Sequence, residues 1–176
     1  MNKTIWFGDT ADTPLGLVWV AKSETGLWAV EYAVSQGEFE LRIKDRGGTR
    51  VVYNKDKVKN ELDQVNEYLE RKRKSFDIPI DWNGMTTFQE STLKKVAEIP
   101  YGKSRTYGEI AMELGKAGGA RAVGLANANN PMPLVIPCHR VIGADGSLRG
   151  YGGSGGVTTK AWLLDLESGQ LSMNLA

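Results

Sequence analysis

One cysteine and one histidine occur in this 176-residue chain, and they are neighbours, in the run Pro137-Cys138-His139-Arg140-Val141. The thiolate, not the thiol, is the nucleophile, and a nearby imidazole is a common means of making it at neutral pH. A lone cysteine between Pro and an apolar segment is otherwise a small buried hydrophobe, and a lone histidine a hydrogen-bonded structural group. For an arbitrary Cys-His pair that bland reading prevails; the residues around this pair reverse it. Adjacent side chains diverge on a strand or helix, so Cys138 and His139 communicate in a turn or through a water. An imidazole base also needs a third group to orient it. Glu167, Asp165 and Asp145 are candidates, and spacing does not choose among them.

The elements around the pair define how it is presented. Leu134-Val135-Ile136 has the composition of a buried strand delivering Cys138 into the protein. After it, Gly150-Tyr151-Gly152-Gly153-Ser154-Gly155-Gly156 is a Gly-rich loop that suits a phosphate cradle, a flat pocket or a linker. Tyr151 at its head offers a stacking surface. The segment Thr159–Glu167 is expected to be a C-terminal helix. Upstream, Thr87 with Glu90 forms a capping-box pattern opening a helix through Leu93, Val96 and Ile99 that stops at Pro100. Thr106 with Glu109 forms another, opening a short helix that ends at Gly115. With Ala120–Ala128 it makes a helix-turn-helix pattern. The second helix is mostly Ala and Gly, with Arg121 its one long basic side chain. Such a surface lacks the several polar side chains that read a major groove. It suits close approach to a narrower groove, where Arg121 probes or replaces a base, or else tight helix packing.

Residues 1–84 are expected to form a separate module. Leu15–Ala21 and Leu27–Ala33 form a hairpin around Ser23-Glu24-Thr25-Gly26, and Phe39–Ile43 is expected as a third strand, since its apolar residues alternate. Helical spacing follows through Val58, Leu62, Val65 and Leu69. The run Arg71-Lys72-Arg73-Lys74 reads as a solvated helix end rather than a nucleic-acid patch. Phe76–Gly84 closes the module as an extended segment and turn, so the domains are expected at 1–84 and 85–176.

Composition narrows the classes. With 41% hydrophobic and 24% charged residues the chain is globular. No apolar run approaches the ~20 residues of a membrane span, and the start reaches Gly8 and Asp9 without a signal-peptide core. A single cysteine makes no internal disulfide and fits a reducing, cytoplasmic setting. One Cys and one His are too few for a zinc cluster. The net charge is +1, so no global field announces a polyanion. Residues 1–84 carry 13 basic and 14 acidic side chains and residues 85–176 carry 9 and 7; any DNA contact must come from a local patch.

Taken in order, Tyr107-Gly108-Glu109-Ile110-Ala111, Arg121-Ala122-Val123-Gly124, Asn130-Pro131, Pro137-Cys138-His139-Arg140-Val141, the Gly-Tyr-Gly-Gly loop, and Lys160 through Leu163-Leu164 to Glu167 resemble the O6-alkylguanine-DNA alkyltransferases. The match covers essentially all of residues 85–170. The resemblance implies an α/β N-terminal domain, a small ribonuclease-H-like sheet plus helix. A mainly helical, winged-helix-like domain containing the helix-turn-helix follows it. It implies a monomeric repair protein, without metal or cofactor, that binds duplex DNA carrying O6-alkylguanine, with O4 of thymine left open as a second target. The damaged base is flipped out, because its reacting atom lies inside the stack, and its alkyl group passes irreversibly to the protein.

By position, the resemblance makes Cys138 the acceptor, His139 its base through a water, and Glu167 the group orienting His139. Tyr107 helps rotate the nucleotide out and protonates the leaving guanine, and Asn130 holds the turn near the cysteine. Arg121 fills the gap in the stack, with Ala120, Ala122 and Gly124 along the same helix. Pro133, Val141, Tyr151 and either Gly152 or Ser154 wall the pocket. The pocket loop is two residues longer than the family pattern, and Leu125 is bulkier than the glycine some members carry. Rival readings of the same residues are a turning-over Cys-His-Glu hydrolase with an oxyanion hole in the Gly-rich loop, a damage-binding protein without chemistry, and a redox-sensor thiol that lacks a resolving cysteine.

Overall fold

The computed structural model describes residues 3–149 and 151–169. The chain divides into two compact units, Met1–Gly84 and Met85–Ala176.

In the first unit, β1 (Thr4–Asp9), β2 (Val18–Lys22), β3 (Leu27–Tyr32) and β4 (Arg50–Tyr53) form one sheet in the order β3-β2-β1-β4. β1 and β2 are antiparallel, as are β2 and β3, while β4 lies parallel to β1 with Ile5 opposite Val51. The helix α1 (Gln36–Asp45) makes the crossover that a parallel partner requires. Strand alternation sends Ile5, Phe7, Trp19 and Ala21 to one face, where Phe39 and Ile43 of α1 close over them. Phe39 stacks on Trp19 at 6.0 Å. On the other face a turn at Asp56–Val58 brings Val58 so close to Gly8 that a Cβ there would lie 2.9 Å away. α2 (Lys59–Leu69) follows, and the buried Glu61 pairs with Lys22 of β2 at 2.5 Å. Asp81 closes the unit, accepting from Ser23 (2.5 Å), Thr25 (2.7 Å), Lys3 (2.9 Å) and the Asn83 amide (3.0 Å).

One expectation here is corrected: Phe39–Ile43 is helical. Ser35 and Glu38 form a reciprocal capping box, and Phe39 and Ile43 stand one helical turn apart, so an i, i+4 stripe had mimicked strand alternation. Leu41, between them, is exposed. The basic run lies just past α2, where Lys72 and Arg73 pair with Glu70 and Glu67.

In the second unit α3 spans Thr87–Ala97; its cap is Thr86, which accepts from Gln89, one residue earlier than the Thr87–Glu90 pattern suggested. α4 (Tyr107–Glu113) opens on the Thr106–Glu109 capping box, and α5 (Ala120–Ala128) follows after a Gly-containing turn. A two-residue parallel ladder sets β5 (Arg105–Thr106) beside β6 (Val141–Ile142), Arg105 opposite Val141. That short ladder places the first residue of α4, Tyr107, next to the end of the Cys138–Arg140 turn. α6 (Gly156–Ser168) is bounded by Gly155 and Gly169, both at φ 80°.

The expected strand at Leu134–Ile136 is also corrected. The segment is buried but turned, with Leu134 at φ 73° and the Ile136 amide donating to the Met132 carbonyl at 2.9 Å. Pro133 and Pro137 flank it and remove two of the donors a ladder would need.

Candidate active site

Cys138, His139 and Arg140 occupy one turn of 3₁₀ helix, and all three are buried. Asn130 braces the approach: its Nδ2 donates to the Ile136 carbonyl at 2.8 Å and its Oδ1 accepts from the Met132 amide at 3.0 Å. Its side chain also hydrogen-bonds Cys138. Asn127 of α5 donates to the Cys138 carbonyl at 3.1 Å. The nucleophile's backbone is thus tied to the helix that ends the helix-turn-helix.

Glu167 gathers the polar groups behind the cysteine. His139 Nε2 lies 2.8 Å from Glu167 Oε1. Arg140 meets the same carboxylate from Nη2 (2.8 Å) and Nε (2.9 Å), and the Gly102 amide donates to it at 2.9 Å. Arg140 also donates to the Ile99 carbonyl at 2.5 Å. A carboxylate held by a guanidinium only accepts, so His139 carries its proton on Nε2 and keeps its lone pair on Nδ1. Burial holds the His139 pKa below the ordinary imidazole value, against the pull of Glu167, so the ring is neutral at pH 7. Of the three acids considered for orienting His139, Glu167 makes the contact. Asp145 instead bonds Ser147 and Arg149 on the exposed loop.

Burial pushes the Cys138 thiol up to about 11, opposed by the Asn130 hydrogen bond and the charge of Lys160. An imidazole neighbour therefore does not make a standing thiolate here; the proton stays on sulfur until something removes it. Lys160 is fully buried in α6, and burial lowers its pKa to about 8. Its Nζ donates to the carbonyls of Val141 (2.5 Å) and Arg149 (3.0 Å) and stands 3.3 Å from the Tyr107 hydroxyl. Tyr107 in turn donates to the Arg149 carbonyl at 2.7 Å. Its pKa is raised by burial and by nearby Cys138.

A groove of about 650 Å³ opens beside this cluster, walled in part by Tyr107, Ala120, Arg121 and Gly124. Ala122 is exposed on the same helix, outside the groove wall. Pro133, Val141 and Tyr151 are buried and, like Gly152 and Ser154, do not line it. Gly152 packs against the end of α5 so tightly that a Cβ would come within 1.8 Å of the Ala128 carbonyl. Gly150 lies outside the described residues. Asn127, Arg140 and Lys160 carry no individual role in the sequence analysis. For Lys160 a signal existed: it shares the apolar stripe of α6 with Leu163 and Glu167, where a charged residue is expected only when partnered.

Comparison with known proteins decides the family. Residues 87–169 match the model of the 6-O-methylguanine DNA methyltransferase DNA-binding domain. Residues 8–82 match the ribonuclease-like domain of the same protein class. The chain belongs to the 6-O-methylguanine DNA methyltransferase family. A methylated-DNA–protein-cysteine methyltransferase of Methanosarcina barkeri is 39% identical over 163 residues, covering 93% of this chain and 98% of that protein. One from Mycobacterium bovis is 48% identical over 114 residues, 65% of this chain and 67% of that protein. The crystal structure of Mycobacterium tuberculosis OGT in complex with DNA superposes with a TM-score of 0.80 at 35% identity, covering 98% of this chain and 97% of that one. The two-unit arrangement of the 6-O-methylguanine DNA methyltransferases, small sheet with helix and then helical DNA-binding domain, is that of this chain. No helix among the described residues is long and apolar enough to cross a membrane.

Proposed function

We propose that this chain repairs O6-alkylguanine in duplex DNA by moving the alkyl group irreversibly to Cys138, each molecule acting once. The observation that carries the reading is the buried line from Cys138 through His139 to Glu167, with the Tyr107 hydroxyl beside it and Arg121 on the groove wall. The family assignment supports the reaction class, a methylated-DNA–protein-cysteine methyltransferase.

In this reading α5 lies in the minor groove and Arg121 takes the place of the flipped nucleotide. Flipping costs a few kcal/mol, least for a poorly paired base. The thiol proton leaves through a water to Nδ1 of His139, whose Nε2–H stays on Glu167. Sulfur attacks the alkyl carbon, the C–O6 bond breaks, and its electron pair stays on the base. Tyr107 turns its proton from the Arg149 carbonyl to the guanine ring nitrogen, and Lys160 steadies the oxygen left behind. Removing the thiol proton at this moment, rather than storing a thiolate, suits a residue that is 2% exposed. The thioether has no good leaving group, so the protein is spent. Residues 1–84 and 85–176 act as two domains of one intracellular monomer.

The test is stoichiometry: limiting protein is mixed with excess duplex holding one O6-methylguanine. Repaired base equal to protein supports the reading. Repair continuing past one equivalent contradicts it and favours a turning-over Cys-His-Glu enzyme.

A further inference from the structure

We propose that Leu125 is a second groove-entering residue, an apolar wedge that packs against the base pair flanking the nucleotide displaced by Arg121. The proposal rests on the reading that α5 is the DNA-facing helix.

At 100° per residue, Val123, Ala126 and Asn127 define the buried face of α5. Leu125 points to the opposite side, one turn beyond Arg121 and between it and Ala122. It is 67% exposed, and around the helix it stands among Arg121, Ala122, Ala128 and the capping Asn129, whose Nδ2 donates back to the Leu125 carbonyl at 2.9 Å. Arg121 and Leu125 are therefore the two longest side chains on a surface otherwise made of alanine, glycine and that capping asparagine. An isolated exposed leucine is ordinary; this one stands on the same exposed side of α5 as Arg121, which walls the groove with Ala120 and Gly124.

The chemistry of the patch selects its occupant. α5 has no acidic residue in its first turn and none along its length. Its small residues permit close approach to a polyanion, and a base step opened by the displaced nucleotide exposes the flat apolar face of the neighbouring base, which a leucine fits. Minor-groove proteins frequently press apolar side chains between base steps to hold a kink. One helical turn is a rise of about 6 Å over four residues, so Leu125 meets the duplex beside the step that Arg121 fills, not at it. The family match of residues 87–169 to a DNA-binding domain agrees with DNA as partner.

An apolar contact and a phosphate contact differ in salt dependence, because only the second releases counterions. Leu125→Ala is therefore compared with wild type and Arg121→Ala in equilibrium binding to one duplex over a series of salt concentrations. The duplex carries 2-aminopurine next to O6-methylguanine. Leu125→Ala is expected to weaken binding about ten-fold, from partial loss of leucine burial. The slope of affinity with salt should stay unchanged, and the rise in 2-aminopurine emission should be smaller. Leu125→Met should keep most of both. Because Leu125 is exposed, its thermal unfolding should match wild type. Unchanged affinity and emission in Leu125→Ala, with Arg121→Ala still weakened, would overturn the wedge and leave the repair reading standing. A changed salt slope would also overturn it, since it would mean lost phosphate contacts. If wild type fails to bind the duplex, the repair reading itself fails and the wedge with it.

Discussion

His139 Nε2 and Glu167 Oε1 lie 2.8 Å apart inside the second unit, both side chains fully buried. Because Arg140 and the Gly102 amide occupy the rest of the carboxylate, the imidazole is fixed in one tautomer with its lone pair on Nδ1. Glu167→Gln would offer an N–H where an acceptor is needed and leave the Arg140 guanidinium without its counter-charge. Transfer should slow by about a hundred-fold or more, and unfolding should become easier by about 3 kcal/mol. Rapid-quench repair and chemical denaturation measure the two effects. Repair at the wild-type rate would contradict the role of Glu167 in orienting His139.

Tyr107→Phe deletes the hydroxyl while keeping the ring that packs near Gly124. It should lower the transfer rate about a hundred-fold with duplex affinity nearly unchanged. A loss confined to affinity would make Tyr107 a groove contact and not a proton donor.

The Cys138 thiol, raised to about 11 by burial, should react slowly with iodoacetamide in the free protein at neutral pH. The rate should keep climbing with pH above 9, the ordinary thiol value. The linked stability follows in sign: a pKa raised by folding stabilises fully below the unfolded value of 9. That contribution is lost as pH climbs toward 11. A reactivity plateau reached below pH 9 would show that the free protein holds a thiolate.

Gly152→Ala would put a methyl group 1.8 Å from the Ala128 carbonyl, a contact with backbone that no rotamer relieves. The expected cost is about 1–3 kcal/mol of stability, with a slower repair rate because the loop is pushed off the end of α5. Calorimetry and repair kinetics would show it; a stability equal to wild type would mean the loop moves freely.

Much of the second unit was legible because its signals are local. The Thr106–Glu109 capping box, Gly115 and the Ala/Gly run marked α4 and α5 within a residue or two. The two corrected segments fail for opposite reasons. Phe39 and Ile43 satisfy both a period of two and a helical turn, and only the Ser35–Glu38 cap distinguishes them. Leu134–Ile136 is apolar enough for a strand, but its prolines deny it a ladder. The Cys138–His139 pair stood out in sequence, whereas the partners that set its protonation arrive from 8 to 29 residues away, the separations of Asn130 and Glu167 from Cys138. For Lys160 only its place on an apolar stripe was legible; its role was not, because it depends on three oxygens brought together by β6, the Arg149 loop and α4.

The central claim is that Cys138 becomes the permanent home of the alkyl group, and intact-protein mass after incubation with a duplex holding one O6-methylguanine tests it most directly. Wild type should gain the mass of a single CH₂, mapped to the peptide containing Cys138, and Cys138→Ala should gain nothing. An unchanged mass in wild type while the duplex is demethylated, or a gain that persists in Cys138→Ala, would contradict the account.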